Sequence, residues 1–116
     1  MVASPRLICA SSDLEEGGRG VRFTVIHRGQ EEPAFAVRFE GRVRAYLNRC
    51  AHVPMELDWL PGEFFDHSKL YLVCATHGAL YAPESGQCLG GRCHGRGLVP
   101  LVMEERDGAV YFLETE

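Results

Sequence analysis

The 116 residues contain no long apolar run. The longest, 70–75, has six residues, whereas a membrane-crossing helix needs about 20. Near the N-terminus only Leu7-Ile8-Cys9-Ala10 is continuously apolar, too short for a secretory core, and no twin-arginine pair occurs. The chain therefore reads as soluble and cytoplasmic, with no membrane partner. Basic charge is scarce as well. Lys and Arg number 12 against 16 Asp and Glu, a net of −4. A nucleic-acid binder would carry a basic patch, so no nucleic-acid partner is expected. Helical periodicity is missing too: no uninterrupted window reaches the length of about 12 residues that a stable helix needs. Internal repeats, biased tracts, phosphate-binding glycine loops, dinucleotide fingerprints and a Ser-His-Asp order are all absent. Cysteine is present but odd in number. Five cysteines exclude a complete disulfide set, and at close spacing in a reducing compartment they point to metal.

What is present builds one domain. At 46% hydrophobic and 24% charged residues the chain is too apolar for disorder and long enough to bury a core. Glycine and proline divide it into short β-type runs. Residues 21–26 alternate and stop before Gly29; 34–39 follow Pro33. Glu40-Gly41 reads as a tight turn that returns the chain along 43–47. Residues 70–73 form a continuous apolar strand candidate. Residues 98–104 and 110–113 flank Asp107-Gly108, a strong hairpin signal. Short strands with frequent turns predict an all-β fold, a small antiparallel sandwich or barrel.

One region differs in texture. Residues 48–91 show little alternation and hold three of the five cysteines and three of the five histidines. Acid is concentrated there too: 47–91 pair Arg49 and Lys69 with Glu56, Asp58, Glu63, Asp66 and Glu84. This acidity fits either a partner with a basic dock or a merely solvated face. Two motifs lie inside. Cys50-Ala51-His52 and Cys74-Ala75-Thr76-His77-Gly78 are separated by 21 residues (53–73). Each supplies one thiolate and one imidazole. Two sulfur and two nitrogen ligands suit zinc or an iron–sulfur centre. Structural zinc sites usually pair like with like, whereas these half-sites are mixed. Mixed half-sites suit a cluster whose two irons differ, one bound by thiolates and the other by histidines.

At these residues the sequence resembles the Rieske [2Fe–2S] family. Cys50-x-His52 and Cys74-x-x-His77-Gly78 match its two ligand boxes in order and type. The likeness continues through Gly78-Ala79-Leu80-Tyr81, Ser85-Gly86 and Gly90-Gly91. It implies a [2Fe–2S] cluster held by Cys50, His52, Cys74 and His77. It also implies a β base, about 1–46 and 93–116, with an inserted cluster-binding subdomain, about 47–92. Small size places the chain nearest the soluble ferredoxins, which carry single electrons from a flavoprotein reductase to a terminal oxygenase or related redox enzyme. No substrate chemistry of its own is then expected. The alternatives are a small subunit of a larger oxidoreductase, of the nitrite-reductase kind, and a structural zinc module.

The resemblance also assigns roles around the ligands. High-potential members place a Ser and a Tyr after the second box; Ala79 and Tyr81 stand there here. Alanine has no donor, whereas Tyr81 keeps a hydroxyl that can reach the Cys50 sulfur, or that faces solvent if the ring merely packs in the core. A low-to-middle potential follows. Cysteines that brace the loops of some family members are replaced by Met55 and Thr76, so that disulfide is absent. The spacer is longer than usual, and Val53-Pro54 stands where a glycine is common, which leaves the docking surface open. Cys88 and Cys93 are read as free thiols lining a third loop, with a bridge between them as the alternative. Cys9 is read as a plain strand residue. His27, His67 and His94 are read as ordinary surface or core histidines.

Overall fold

The computed structural model describes residues 4–27, 29–48, 57, 62–66, 68–74, 79–90 and 97–114. Among them the fold is all-β, with a single 3-10 turn, Ser11–Asp13, and antiparallel strand pairing throughout the sheets. β1 (Ser4–Ala10), β8 (Met103–Arg106) and β9 (Ala109–Glu114) form one sheet in the order β1-β9-β8. β2 (Val21–His27), β3 (Gln30–Phe39) and β4 (Arg42–Leu47) form a second, in sequence order. β5 (Leu72–Val73), β6 (Leu80–Tyr81) and β7 (Cys88–Gly90) form a third, small sheet.

Both tight turns form where the sequence places them. Glu40 and Gly41 have φ of 53° and 76°, and Asp107 and Gly108 have 51° and 75°. Paired positive φ values match the twist of the flanking strands, and Gly takes the second position of each turn at no steric cost.

β3 begins four residues earlier than the 34–39 expectation and runs straight through Pro33. The proline lacks an N–H, yet the ladder tolerates it. The Pro33 carbonyl accepts the Asn48 N–H at 2.8 Å, just past the end of β4, so the missing donor falls where the ladder is already ending. At the other extreme, 70–73 is not one strand. β5 begins only at Leu72, and Leu70 and Tyr71 are exposed in a turn. That turn is closed by Lys69 N–H to the Asp66 carbonyl and by Asp66 N–H to the Tyr71 carbonyl. A continuous apolar run does not distinguish a buried strand from an exposed turn, and here local turn bonds prevail.

β3 separates two cores. Successive side chains point to opposite faces of a strand. Phe35 and Val37 join one cluster with Tyr46, Leu57, Phe64, Leu72, Cys74, Ala79, Tyr81 and Leu98. Ala34 and Ala36 face the other way, into the clusters built on Leu14, Val25, Ala45, Leu47, Val110 and Phe112. Register carries the division across to β4, where Phe35 opposes Tyr46 and Ala36 opposes Ala45. The small alanines let the first two sheets approach; the aromatic side receives the rest of the chain. Phe64 stacks on Phe35 with ring centroids 4.0 Å apart and planes 12° from parallel.

Residues 99–102 connect the two larger sheets. Leu47 N–H donates to the Val99 carbonyl and Leu101 N–H to the Ala45 carbonyl, and Leu113 N–H then donates to the Val102 carbonyl. On β3 itself, Arg38 ties the connections together. Its guanidinium donates to the Leu14 and Ser11 carbonyls and forms a two-pronged pair with Glu105, at 3.1 and 2.6 Å. Cys9 lies in β1, half-buried and free, as expected of a plain strand residue. Burial and the nearby Asp13 carboxylate push its thiol pKa upward.

Candidate metal centre

Three connections rise from the aromatic face of β3, and their bases meet in one apolar cluster. The first leaves β4 at Leu47. Asn48 follows, 1% exposed, and its Oδ1 accepts the Leu57 N–H at 2.8 Å. Leu57 is itself fully buried. Cys50 and His52 sit between these two anchors and lie outside the described residues.

The second connection leaves β5 at Val73. Cys74 comes next, fully buried. Its N–H donates to the Ala79 carbonyl at 2.9 Å, which closes the segment that carries His77. His77 also lies outside the described residues. Val73 N–H to the Phe64 carbonyl holds the strand beneath.

The third connection starts with the turn between β6 and β7. Gly86 N–H donates to the Ala82 carbonyl at 2.6 Å, and Ala82 N–H to the Gln87 carbonyl at 2.9 Å. Leu98 N–H donates to the Gly86 carbonyl at 2.7 Å and brings the chain back. The base grips this turn from below. Tyr46 donates its hydroxyl to the Pro83 carbonyl at 2.6 Å, and Arg44 donates to the Glu84 carbonyl at 3.3 Å. Burial pushes the Tyr46 phenol pKa up to about 12, so it remains a donor at every physiological pH.

Of the five site residues read from sequence, the structure describes Cys74 and Tyr81. Both are fully buried, and both belong to the cluster that contains Leu57 and Ala79. Full burial removes the option that the Tyr81 hydroxyl faces solvent. Among the described residues no group of three or more His, Cys, Asp or Glu is placed to hold a metal, as three of the four expected ligands lie outside them.

The residues that are described fit a thiolate-bound cluster. A metal-binding sulfur must not be spent on a disulfide, and Cys74 is in none. Its loop is pinned by a backbone bond, and its surroundings are apolar. Cys88 behaves differently. It is disulfide-bonded, against the expectation of a free thiol, and its partner lies outside the described residues. That expectation weighed the compartment's reducing power; a disulfide answers instead to whether the fold brings two sulfurs within bonding reach.

Two residues that matter to this site were not singled out from sequence, Asn48 and Tyr46; Gly86 stood only within the family likeness, with no role assigned to it. Asn48 carried a usable signal, as a lone amide directly after an apolar strand and two residues before the first cysteine.

The Rieske [2Fe–2S] domain model matches residues 4–110. The chain belongs to the Rieske [2Fe–2S] domain family. No curated protein sequence matches it. Among solved structures it is similar to the ferredoxin of carbazole 1,9a-dioxygenase from Nocardioides aromaticivorans IC177. The TM-score is 0.72 at 17% identity, over 97% of this chain and 99% of that one. It is similar to a Sphingomonas yanoikuyae B1 ferredoxin, with TM-score 0.73 and 16% identity, over 97% of this chain and all of that one. A chain in the reduced oxygenase–ferredoxin complex of carbazole 1,9a-dioxygenase is also similar, with TM-score 0.69 and 21% identity over 95% of this chain. The present chain spans only 27% of the length of that one, and 27% and 28% of the chains matched in two variant complexes of the same system. At these identities the likeness establishes the fold.

Proposed function

We propose that this chain is a Rieske-type ferredoxin, a carrier of single electrons between a flavoprotein reductase and a terminal oxygenase or related redox enzyme. Cys50 and Cys74 would hold one iron, and His52 and His77 the other. When bound, the cluster supplies one-electron redox chemistry within a window of about −150 to +300 mV. The chain supplies everything else. Leu57, Phe64, Leu72 and Tyr81 keep water from the Cys74 side. The Tyr81 hydroxyl would donate to the Cys50 sulfur, which would favour the more negative, reduced state, while Ala79 offers no donor. A potential in the low-to-middle part of the window follows. Residues 47–92 act as the cluster-binding subdomain, and 1–46 with 93–116 as its base.

The observation that carries this reading is Cys74, fully buried in an apolar cluster at the base of the second ligand box, in a chain that the Rieske domain model matches over residues 4–110. The oxygenase partner is supported by the complexes that relatives of this fold form in the carbazole 1,9a-dioxygenase system. A cytoplasmic location belongs to the same proposal. Among the described residues no helix is long and apolar enough to cross a membrane.

Anaerobic purification tests the proposal. The expected product is red-brown, with iron and sulfide in equal amounts, and gives on reduction a paramagnetic signal whose average g lies below the free-electron value. His52→Ala or His77→Ala should abolish that signal. A colourless protein carrying stoichiometric zinc would refute the cluster and the electron-carrier role together.

A further inference from the structure

Among the described residues a hydrogen bond spans each of the first two connections, and the two bonds differ in kind. The second box is spanned by a backbone bond, Cys74 N–H to the Ala79 carbonyl. The first is closed by a side chain, Leu57 N–H to Asn48 Oδ1. Asn48 is the one buried polar residue among those described. Its own N–H is fixed to the Pro33 carbonyl on β3, so the amide group is held to the sheet from which the connection departs. Leu57, at the far end, shares its apolar cluster with Cys74, Ala79 and Tyr81. The Asn48–Leu57 bond thus ties the base of the first connection to the base of the second.

A buried amide is expensive to retain unless its hydrogen bonds are made, and an apolar residue at this position would leave the Leu57 N–H buried without its acceptor. An aspartate would accept the same bond but would add negative charge beneath the ligands. Asparagine alone supplies the acceptor without the charge at this side-chain length.

We infer that Asn48 is a positioning residue that sets the spacing between the Cys50-x-His52 loop and the Cys74-x-x-His77 loop. The inference rests on the ligand reading given above. Four ligands divided between two loops hold a cluster only while the loops keep their separation. Asn48 touches no iron in this account; it acts through the ends of the loop that does.

The test compares cluster-loaded wild type with Asn48→Ala and Asn48→Asp. Three quantities are read: iron release to a chelator, the g-values of the reduced state, and the midpoint potential. Asn48→Ala is expected to release iron about tenfold faster and to shift or broaden the g-values. Asn48→Asp keeps an acceptor for the Leu57 N–H, and is expected to recover most of the retention while lowering the potential. Release and g-values in Asn48→Ala equal to wild type would overturn the inference. So would an Asn48→Asp protein that releases iron as fast as Asn48→Ala. If Asn48→Ala yields no folded protein, amide exchange in the loaded wild type decides. The Leu57 N–H is expected to exchange slowly, and rapid exchange overturns the proposal. A wild-type chain that assembles no cluster refutes the ligand reading beneath it, a result distinct from every other.

Discussion

Replacing Gly86 with alanine should unfasten the cluster-bearing lobe from the base. Gly86 has φ of +76°, and a Cβ built on it would lie 2.7 Å from Tyr46 Cε1, 3.1 Å from Cδ1 and 3.3 Å from the Leu98 Cβ. The backbone conformation alone costs an alanine about 1 kcal/mol. The contact adds more, because the Tyr46 ring cannot retreat. It is 2% exposed, it lies against Phe35 with centroids 5.9 Å apart, and its hydroxyl is committed to the Pro83 carbonyl. Forcing a methyl into such packing costs roughly 1–3 kcal/mol. The sum is about 3 kcal/mol. Gly108 provides the comparison, since its φ is +75° and nothing lies within 4 Å of its Cβ position. Gly108→Ala should therefore bear the backbone cost alone, about 1 kcal/mol. Urea unfolding of the loaded proteins, followed by far-ultraviolet circular dichroism, separates the two. With a slope of about 2 kcal/mol per molar, the midpoints should differ by about 1 M, Gly86→Ala being the lower. Coincident midpoints would refute the steric argument and with it the claim that Tyr46 fastens the turn.

Two further outcomes follow from named contacts. The Arg38 guanidinium holds the Glu105 carboxyl below its ordinary value of 4.5. A depressed carboxyl contributes stability that is fully present above the unfolded-state value and is lost as pH falls through the lower folded-state value. Glu105→Gln should therefore cost about 1 kcal/mol near neutral pH and nothing at the acid end, in unfolding measured across pH; a constant difference would remove the ion pair from the account. Tyr81→Phe should lower the midpoint potential by about 40 mV, the one-electron equivalent of a hydrogen bond worth about 1 kcal/mol. An unchanged or higher potential in voltammetry would dismiss Tyr81 as a donor.

The parts of this molecule that were legible in its sequence are those where residue type alone carries the information. Asp107-Gly108 and Glu40-Gly41 announce their turns, because few other residues accept φ values there of 51–76°. Alternation placed β2, and the turn at Glu40-Gly41 placed β4, each to within a residue. The two Cys/His boxes stand out because metal chemistry restricts the ligand types, and they led to the family that the domain match over residues 4–110 shows. Errors arose where position in space outweighed local pattern. Pro33 looks like a strand breaker until the end of β4 is seen beside it. The apolar run at 70–73 looks like one strand until turn bonds expose Leu70 and Tyr71. Whether Cys88 is bonded depends on where the chain carries its sulfur, which spacing alone does not express.

Asn48 and Tyr46 show why the support of a site is harder to read than the site. The Asn48 side chain meets a partner nine residues away and the Tyr46 hydroxyl one 37 residues away, so neither contact leaves a local motif. What the sequence does record is the apolar stretch 34–37 of β3, buried on both faces. Such a strand implies that something must cover its second side. Phe35 and Val37 meet that requirement by gathering Leu57, Phe64, Cys74, Ala79 and Tyr81. The same strand turns Ala34 and Ala36 toward the base. The base and the ligand-bearing lobe are therefore not two bodies joined by a linker. They are built on the two faces of one strand, so Cys74 and Ala79 pack on the sheet through Phe35 and Val37.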